Sequence, residues 1–89
     1  MDDGGIDMYK YEYMALIIKG YLDTKSSGNY IITSGEARKL PGMDDYASNS
    51  CYQNVCRAMD VVSERYYEGR LLNPEKRSSS TFSYEYKVN

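Results

Sequence analysis

Residues 48–66 carry the side chains best suited to chemistry. On a helix, with about 100° per residue, amide and hydroxyl groups and one guanidinium group share a face near its start. Amide groups pair bidentately with adenine and guanidinium groups with guanine, and the first turns of a helix can reach base edges in a DNA major groove. The face therefore predicts base contacts, although the solvated face of an ordinary core helix has the same pattern. Its members are Asn49, Ser50, Gln53 and Arg57.

The remaining residues of this helix predict where it begins and which side packs against the core. Acidic side chains, Asp60 and Glu64, occupy the C-terminal half of the polar face. We expect the helix to begin at Ser48, with Asp45 and Ser50 as alternative starts. An apolar stripe at helical spacing predicts the side that packs against the core. The stripe consists of Cys51, Val55, Ala58, Met59, Val62 and Tyr66.

The composition argues against several classes of function. Eighty-nine residues allow one domain with a small core, and 42% apolar with 27% charged residues is typical of a globular protein. The chain has no histidine, so it lacks the usual general base and the commonest metal ligand. Four carboxylates could hold magnesium, but we interpret them as helix caps and solvated charges, and we expect no enzymatic activity, cofactor, metal or small-molecule substrate. These carboxylates are Asp44, Asp45, Asp60 and Glu64.

The two cysteines, Cys51 and Cys56, indicate a cellular compartment. On one helix their Cα atoms would lie roughly 8 to 9 Å apart, too far for a disulfide. We expect Cys51 in the core and Cys56 at its boundary, and free thiols favour a cytoplasmic, intracellular protein. Residues 1–5 are acidic and glycine-rich, which predicts a flexible start and not a signal peptide, and residues 6–89 are expected to form the domain. The longest apolar run, residues 14–18, is too short for a membrane span.

Residues 6–24 have the pattern of a first helix with two apolar faces. One face is expected to meet the core; it consists of Tyr11, Met14, Ile17, Ile18 and Tyr21, with Leu22 at its edge. The second face predicts either contact with another subunit or a set of surface tyrosines. Its members are Tyr9, Tyr13, Leu16 and Gly20.

The middle of the chain predicts a short strand and a short capped helix. Residues 30–32 are β-branched or aromatic and predict the strand. Thr33 and Glu36 have the spacing of a capping box, followed by a helix over residues 34–40 that Pro41 and Gly42 end. The connection over residues 41–47 is long for a helix-turn-helix unit, and we expect Met43 and Tyr46 to attach it to the core.

The C-terminal part predicts a β-hairpin with a basic loop. Residues 70–72 form its first strand, residues 73–80 its polar loop, and residues 81–88 its second strand. The second strand alternates, with Phe82, Tyr84, Tyr86 and Val88 on one face. The net charge is −2, but the basic groups gather in residues 25–43 and 70–89.

This order of elements resembles the winged helix-turn-helix family of DNA-binding domains, and small archaeal, plasmid and viral regulators in particular. The resemblance covers roughly residues 7–88 and rests on residues 33–40, 48–65 and 70–88. It implies an α+β fold with three helices and a small antiparallel sheet whose C-terminal hairpin is the wing. It also implies sequence-specific binding of double-stranded DNA for transcription regulation. A homodimer would double the contacts and suit a two-fold symmetric site, and we expect the second face of the first helix to be its interface. The positions that match the family's recognition-helix contacts are Asn49, Ser50, Gln53, Asn54 and Arg57, and those that match its wing tip are Lys76, Arg77, Ser78, Ser79 and Ser80. Thr33 and Ser34, at the start of the short helix, are expected to offer backbone amides to a phosphate.

A second class of function remains open from the same residues. Winged helices also serve as protein-interaction modules, and tyrosines bring large contact area at low entropy cost. In this alternative Tyr9, Tyr13 and Leu16 form the working surface, while Gln53 and Arg57 are ordinary solvated residues. Convergence of Arg57, Lys76 and Arg77 on one face would favour DNA binding over this alternative.

Overall fold

The protein is represented by a computed structural model that describes residues 9–47 and 52–89. In this part of the chain, three α-helices and a three-stranded antiparallel sheet confirm the predicted α+β class. The α-helices are α1 (Lys10–Asp23), α2 (Ser34–Arg38) and α3 (Gln53–Arg65). The strands are β1 (Gly28–Thr33), β2 (Gly69–Leu71) and β3 (Ser83–Val88). Two short 3-10 helices, Met43–Asp45 and Pro74–Lys76, lie in the connections.

The sheet has the order β1-β3-β2, with β3 in the centre. Strand β1 pairs with β3 from Gly28 opposite Val88 to Thr33 opposite Ser83. Strand β2 pairs with the other edge of β3, with Leu71 opposite Tyr84. The predicted alternation is confirmed, because one face of this segment is buried against the helices. The buried side chains on that face are Phe82, Tyr84, Tyr86 and Val88.

Helix α1 packs against α3, and its core face is largely as predicted. Met14, Ile18 and Leu22 are fully buried. Tyr21 was predicted to face the core but remains 37% exposed, and its ring lies 4.6 Å from the Lys25 ammonium nitrogen. A lysine at that distance is typical of a ring that keeps contact with solvent.

The connection between α2 and α3 is attached to the core, as its apolar residues predict. The α2 capping box forms, with the Glu36 amide donating to Thr33 Oγ1, but the helix ends at Arg38 and not at residue 40. Gly42 then adopts a left-handed φ of 93°, which glycine tolerates and which turns the chain away from the helix. Met43 follows and is fully buried, and Tyr46 is half-buried.

Helix α3 carries the expected apolar stripe, with one correction. Val55, Ala58, Met59 and Val62 are fully buried as predicted. Cys56, predicted at the boundary, is also fully buried, and burial raises the pKa of its thiol. Cys56 is buried because the apolar face of α3 is wider than the predicted stripe. Val61, which is not part of that stripe, is also buried.

Several predictions fall on residues that the structure does not describe. The candidate contacts Asn49 and Ser50 lie in residues 48–51, as does Cys51. The favoured helix start at Ser48 lies there too, and in the described residues α3 begins at Gln53, with Tyr52 as its N-cap. The flexible start predicted for residues 1–5 also lies outside the described residues. The alternative start at Asp45 is wrong, because Asp45 ends a 3-10 helix and the chain is not helical at Tyr46 and Ala47.

No helix within residues 9–47 and 52–89 is both long enough and apolar enough to cross a membrane.

Candidate functional site

A concave pocket of about 320 Å³ lies where the start of α3 meets the loop between β2 and β3. The helix contributes three of the predicted contact residues and the loop contributes two, although the two segments are separated by about a quarter of the chain. Tyr11, from the first turn of α1, forms the remaining wall. The residues lining the pocket are Tyr11, Gln53, Asn54, Arg57, Arg77 and Ser78.

Arg57 is the cation of this pocket that has no carboxylate partner in the described part of the chain. Its guanidinium carbon lies 5.1 Å from the centroid of the Tyr11 ring, which is a cation–π distance. Gln53 and Asn54 are exposed in the first turn of α3, one turn before Arg57. These three side chains therefore offer amide and guanidinium donors to an external partner.

Arg77 has a different environment, because it is tied to α3 by an ion pair. Its Nη1 and Nη2 atoms lie 2.9 and 3.1 Å from the two carboxylate oxygens of Asp60. The Tyr84 hydroxyl donates to the same carboxylate at 2.7 Å, and the Phe82 ring centroid lies 4.8 Å from the guanidinium carbon. The Asp60 hydrogen bond raises the pKa of Arg77, and burial, followed by the Asp60 hydrogen bond, raises the pKa of Tyr84. Arg77 thus positions the loop, and its charge is largely balanced within the protein.

The loop over residues 72–82 is ordered by its own hydrogen bonds. Asn73 spans its base, where its side chain donates to the Thr81 carbonyl at 2.9 Å and accepts from the Ser83 amide at 2.7 Å. The Pro74–Lys76 helix gives the loop a compact first half. Ser78 then takes a left-handed φ of 72°, which is uncommon for a residue other than glycine and turns the chain at the pocket.

The N-terminus of α2 is covered by the same loop, which corrects the prediction for Thr33 and Ser34. The amides of Ser34 and Gly35 donate to the carbonyls of Phe82 and Ser80, at 2.7 and 2.9 Å. The next amide donates to Thr33 Oγ1, and the Ser34 hydroxyl donates to the Ser79 carbonyl. Ser34 is fully buried, so its amide and hydroxyl, with the Gly35 amide, hold the loop in place instead of facing an external phosphate.

The remaining predicted charges are distributed around the pocket. Lys76 is exposed on the loop beside Arg77, but its side chain is not part of the pocket wall. Asp44, one of the four carboxylates interpreted as caps or solvated charges, forms a 2.7 Å ion pair with Arg38. With Asp60 paired to Arg77 as well, the acidic groups near the helices are partly neutralised. No group of three potential metal ligands gathers within residues 9–47 and 52–89.

The second face of α1 is exposed, as its sequence pattern allows. Tyr9, Tyr13 and Leu16 are 67%, 39% and 41% exposed. Tyr13 stacks on Tyr46 with ring centroids 5.2 Å apart, which orients one of these rings. A Cβ built on Gly20 would meet no described atom within 4 Å, so this end of the face is open.

Sequence reasoning missed two residues of the site, Tyr11 and Asp60. Tyr11 was interpreted only as a core residue, and Asp60 as part of a solvated acidic half of the helix. Tyr11 and Arg57 are far apart in the sequence, and so are Asp60 and Arg77. No local sequence pattern therefore indicates either contact. One indication of Asp60 was present in the sequence. The alternation of residues 81–88 places Tyr84 on the buried face, and a buried Tyr84 hydroxyl needs a hydrogen-bond acceptor nearby.

We expect Gly35→Ala to lower the free energy of unfolding by about 1–3 kcal/mol, because the new Cβ would lie 2.9 Å from the Ser80 carbonyl oxygen. The loop would have to leave the α2 N-terminus and lose the Gly35 hydrogen bond. Gly20→Ala, measured at a protein concentration at which the chain is monomeric, is the matched control, since its methyl enters open space within one chain's helix and should raise stability by about 0.5–1 kcal/mol. Urea denaturation of both variants measures whether the free energy of unfolding falls for Gly35→Ala and rises for Gly20→Ala. Equal effects of the two substitutions would contradict the packing of the loop against the α2 N-terminus.

Comparisons with family models, curated proteins and solved structures gave no match to this chain. The fold and the pocket define a small α+β domain in which a three-helix layer packs on one face of an antiparallel sheet. Its candidate site lies between a helix start and a hairpin loop.

Proposed function

We propose that this protein is a winged helix-turn-helix domain that binds double-stranded DNA in a sequence-specific manner and acts inside the cell as a transcription regulator. In this proposal α3 enters the major groove, and the loop over residues 72–82 is the wing that contacts the phosphate backbone. The order of elements, with a short capped helix before α3 and a hairpin after it, supports this class. The observation that carries the proposal is the shared pocket of Gln53, Asn54, Arg57, Arg77 and Ser78.

The residues of the pocket differ in how much charge they have available for binding DNA. Arg57, with no carboxylate partner among the described residues, supplies the charge available to DNA together with the exposed Lys76. Arg77 is engaged by Asp60, so its main contribution is to hold the wing beside α3. Gln53 and Asn54 supply the amides that can pair with adenine. With few unpaired cations on this face, we expect modest affinity and a shallow salt dependence for each monomer.

The test is a salt series of binding to a random-sequence duplex, measured by fluorescence anisotropy. We expect Arg57→Ala to weaken binding at every salt concentration and to reduce the slope of log Kd against log salt by about one. Lys76→Ala should reduce the slope similarly, because it removes a cation that we expect to contact a phosphate.

The matched control is Arg70→Ala, which removes the same charge from a different surface. Arg70 pairs with Glu85 at 2.8 Å on the outer side of the sheet, beside Lys87 and away from the pocket. Its removal should leave the salt slope unchanged. No binding of the wild type at low salt, or equal effects of Arg57→Ala and Arg70→Ala, would contradict the proposal.

A homodimer would double the small number of DNA contacts made by one domain. The exposed second face of α1, formed by Tyr9, Tyr13, Leu16 and Gly20, is the surface we propose for it. The large, rigid tyrosine rings suit such an interface, and Gly20 would allow the two helices to approach closely. Sedimentation of the wild type and of a Leu16→Glu variant measures the oligomeric state directly.

The alternative function is a protein-interaction module that uses the same α1 surface. The observation that favours it is the 67% exposure of Tyr9 at the very start of the helix. In that case the wild type would bind no duplex DNA at low salt, and Arg57 would tolerate substitution without loss of function.

A further inference from the structure

We infer that Tyr11, in the first turn of α1, is a positioning residue that makes Arg57 selective for guanine. The inference rests on the DNA-binding function proposed above. It assigns to α1 a part in base selection that neither the recognition helix nor the wing can supply alone.

The contact between the two side chains is defined by its geometry. The Arg57 guanidinium carbon lies 5.1 Å from the centroid of the Tyr11 ring, and Tyr11 itself is half-buried against the core. The Tyr9 ring stacks on Tyr11 with centroids 5.5 Å apart and planes 9° from parallel. Tyr11 is therefore held by the core and by a neighbouring ring, while Arg57 is exposed.

The backbone that carries Tyr11 is attached to α3 itself. The Tyr9 amide donates to Glu12 Oε1 at 2.9 Å, and the Arg65 guanidinium donates to Glu12 Oε2 at the same distance. These bonds join the first turn of α1 to the far end of α3. The helix turn that carries Tyr11 and the helix that carries Arg57 are consequently held together, so the ring is a fixed surface against which the Arg57 guanidinium group can be oriented.

Orientation matters because the two possible partners of an arginine differ in their demands. A phosphate accepts a guanidinium group from many directions, whereas guanine O6 and N7 accept two parallel N–H groups only in the base plane. A cation–π contact with an aromatic ring restricts the positions open to the guanidinium group and reduces the side-chain freedom that is lost on binding. Tyr11 thus favours the bidentate base contact over a loose phosphate contact.

The experiment begins with selection of duplexes from a random library by the wild type. Each guanine of the selected site is then replaced by adenine, with its complement, or by 7-deazaguanine, which lacks the N7 acceptor. Affinities are measured for the wild type, Tyr11→Leu, Tyr11→Phe and Arg57→Lys. Salt slopes on random duplex are measured in parallel, because none of these substitutions changes the number of charges.

We expect one guanine whose replacement by adenine weakens wild-type binding by about 5- to 150-fold. Tyr11→Leu should reduce this discrimination by about two- to five-fold, the worth of an exposed cation–π contact, while the salt slope stays the same. Tyr11→Phe keeps the ring and should retain the discrimination. Arg57→Lys keeps the charge but loses the planar fork, and should abolish most of it.

The outcomes separate the two proposals. If the wild type binds no duplex, the proposed function fails and the inference fails with it. If the wild type selects a site but Tyr11→Leu discriminates as well as the wild type, the inference alone is overturned. Should Tyr11→Leu not fold, Tyr11→Met, which keeps apolar bulk but has no ring, takes its place with the same expected and contradicting outcomes.

Discussion

Phe82→Ala is expected to lower the free energy of unfolding by about 3–5 kcal/mol, the largest stability effect of any substitution considered for this protein. Phe82 is fully buried beneath the hairpin loop. Its ring lies edge-on to Tyr84 at 5.8 Å and supports the Arg77 guanidinium at 4.8 Å. Truncation would leave a cavity between the sheet and the loop and remove the surface on which Arg77 rests. Urea denaturation followed by circular dichroism measures the change.

Two control variants separate this cavity from a general sensitivity to lost apolar groups. Phe82→Leu nearly conserves volume and should cost less than about 1.5 kcal/mol. Ile31→Ala removes an apolar side chain from the same sheet, but Ile31 is 59% exposed and its loss should stay within about 0.5 kcal/mol. A loss below 1 kcal/mol for Phe82→Ala would show that the residue does not support the loop.

Asp60→Ala is expected to lower the free energy of unfolding by about 2 kcal/mol. The carboxylate accepts from both terminal nitrogens of Arg77 and from the Tyr84 hydroxyl. Because Arg77 is partly exposed, its ion pair contributes modestly, and most of the loss comes from leaving the buried Tyr84 hydroxyl without its acceptor. The loop should also lose its attachment to α3, which thermal denaturation and limited proteolysis of residues 72–82 can detect.

Glu64→Ala provides the matched control for this prediction. Glu64 lies one turn after Asp60 on the same helix and is exposed, so its removal changes the net charge equally and should cost less than about 0.5 kcal/mol. A double-mutant cycle adds Arg77→Ala to each variant. We expect coupling of about 1 kcal/mol between Asp60 and Arg77 and none between Glu64 and Arg77; additive effects for the first pair would contradict the observed ion pair.

Local signals in the sequence determined the elements of this protein. The spacing of Thr33 and Glu36 predicted a capped helix start because both hydrogen bonds join residues three apart. The alternation around Tyr84 and Tyr86 predicted a half-buried strand because successive side chains of a strand point to opposite faces. Glycine and proline at residues 41–42 predicted a helix end in the right place to within two residues. The α+β class and the exposed second face of α1 followed from the same periodicities.

Tertiary structure alone decided which of these elements share a site. Tyr11 meets Arg57, and Asp60 meets Arg77, only because folding brings together segments that no local rule connects. Ser34 was predicted to face a ligand, yet the returning loop buries it and uses its amide. A sequence pattern predicts which face of an element is polar, but the partner of that face depends on how remote segments pack. The chemistry of the pocket is therefore a property of the fold, while the sequence by itself determined the helices and strands that form it.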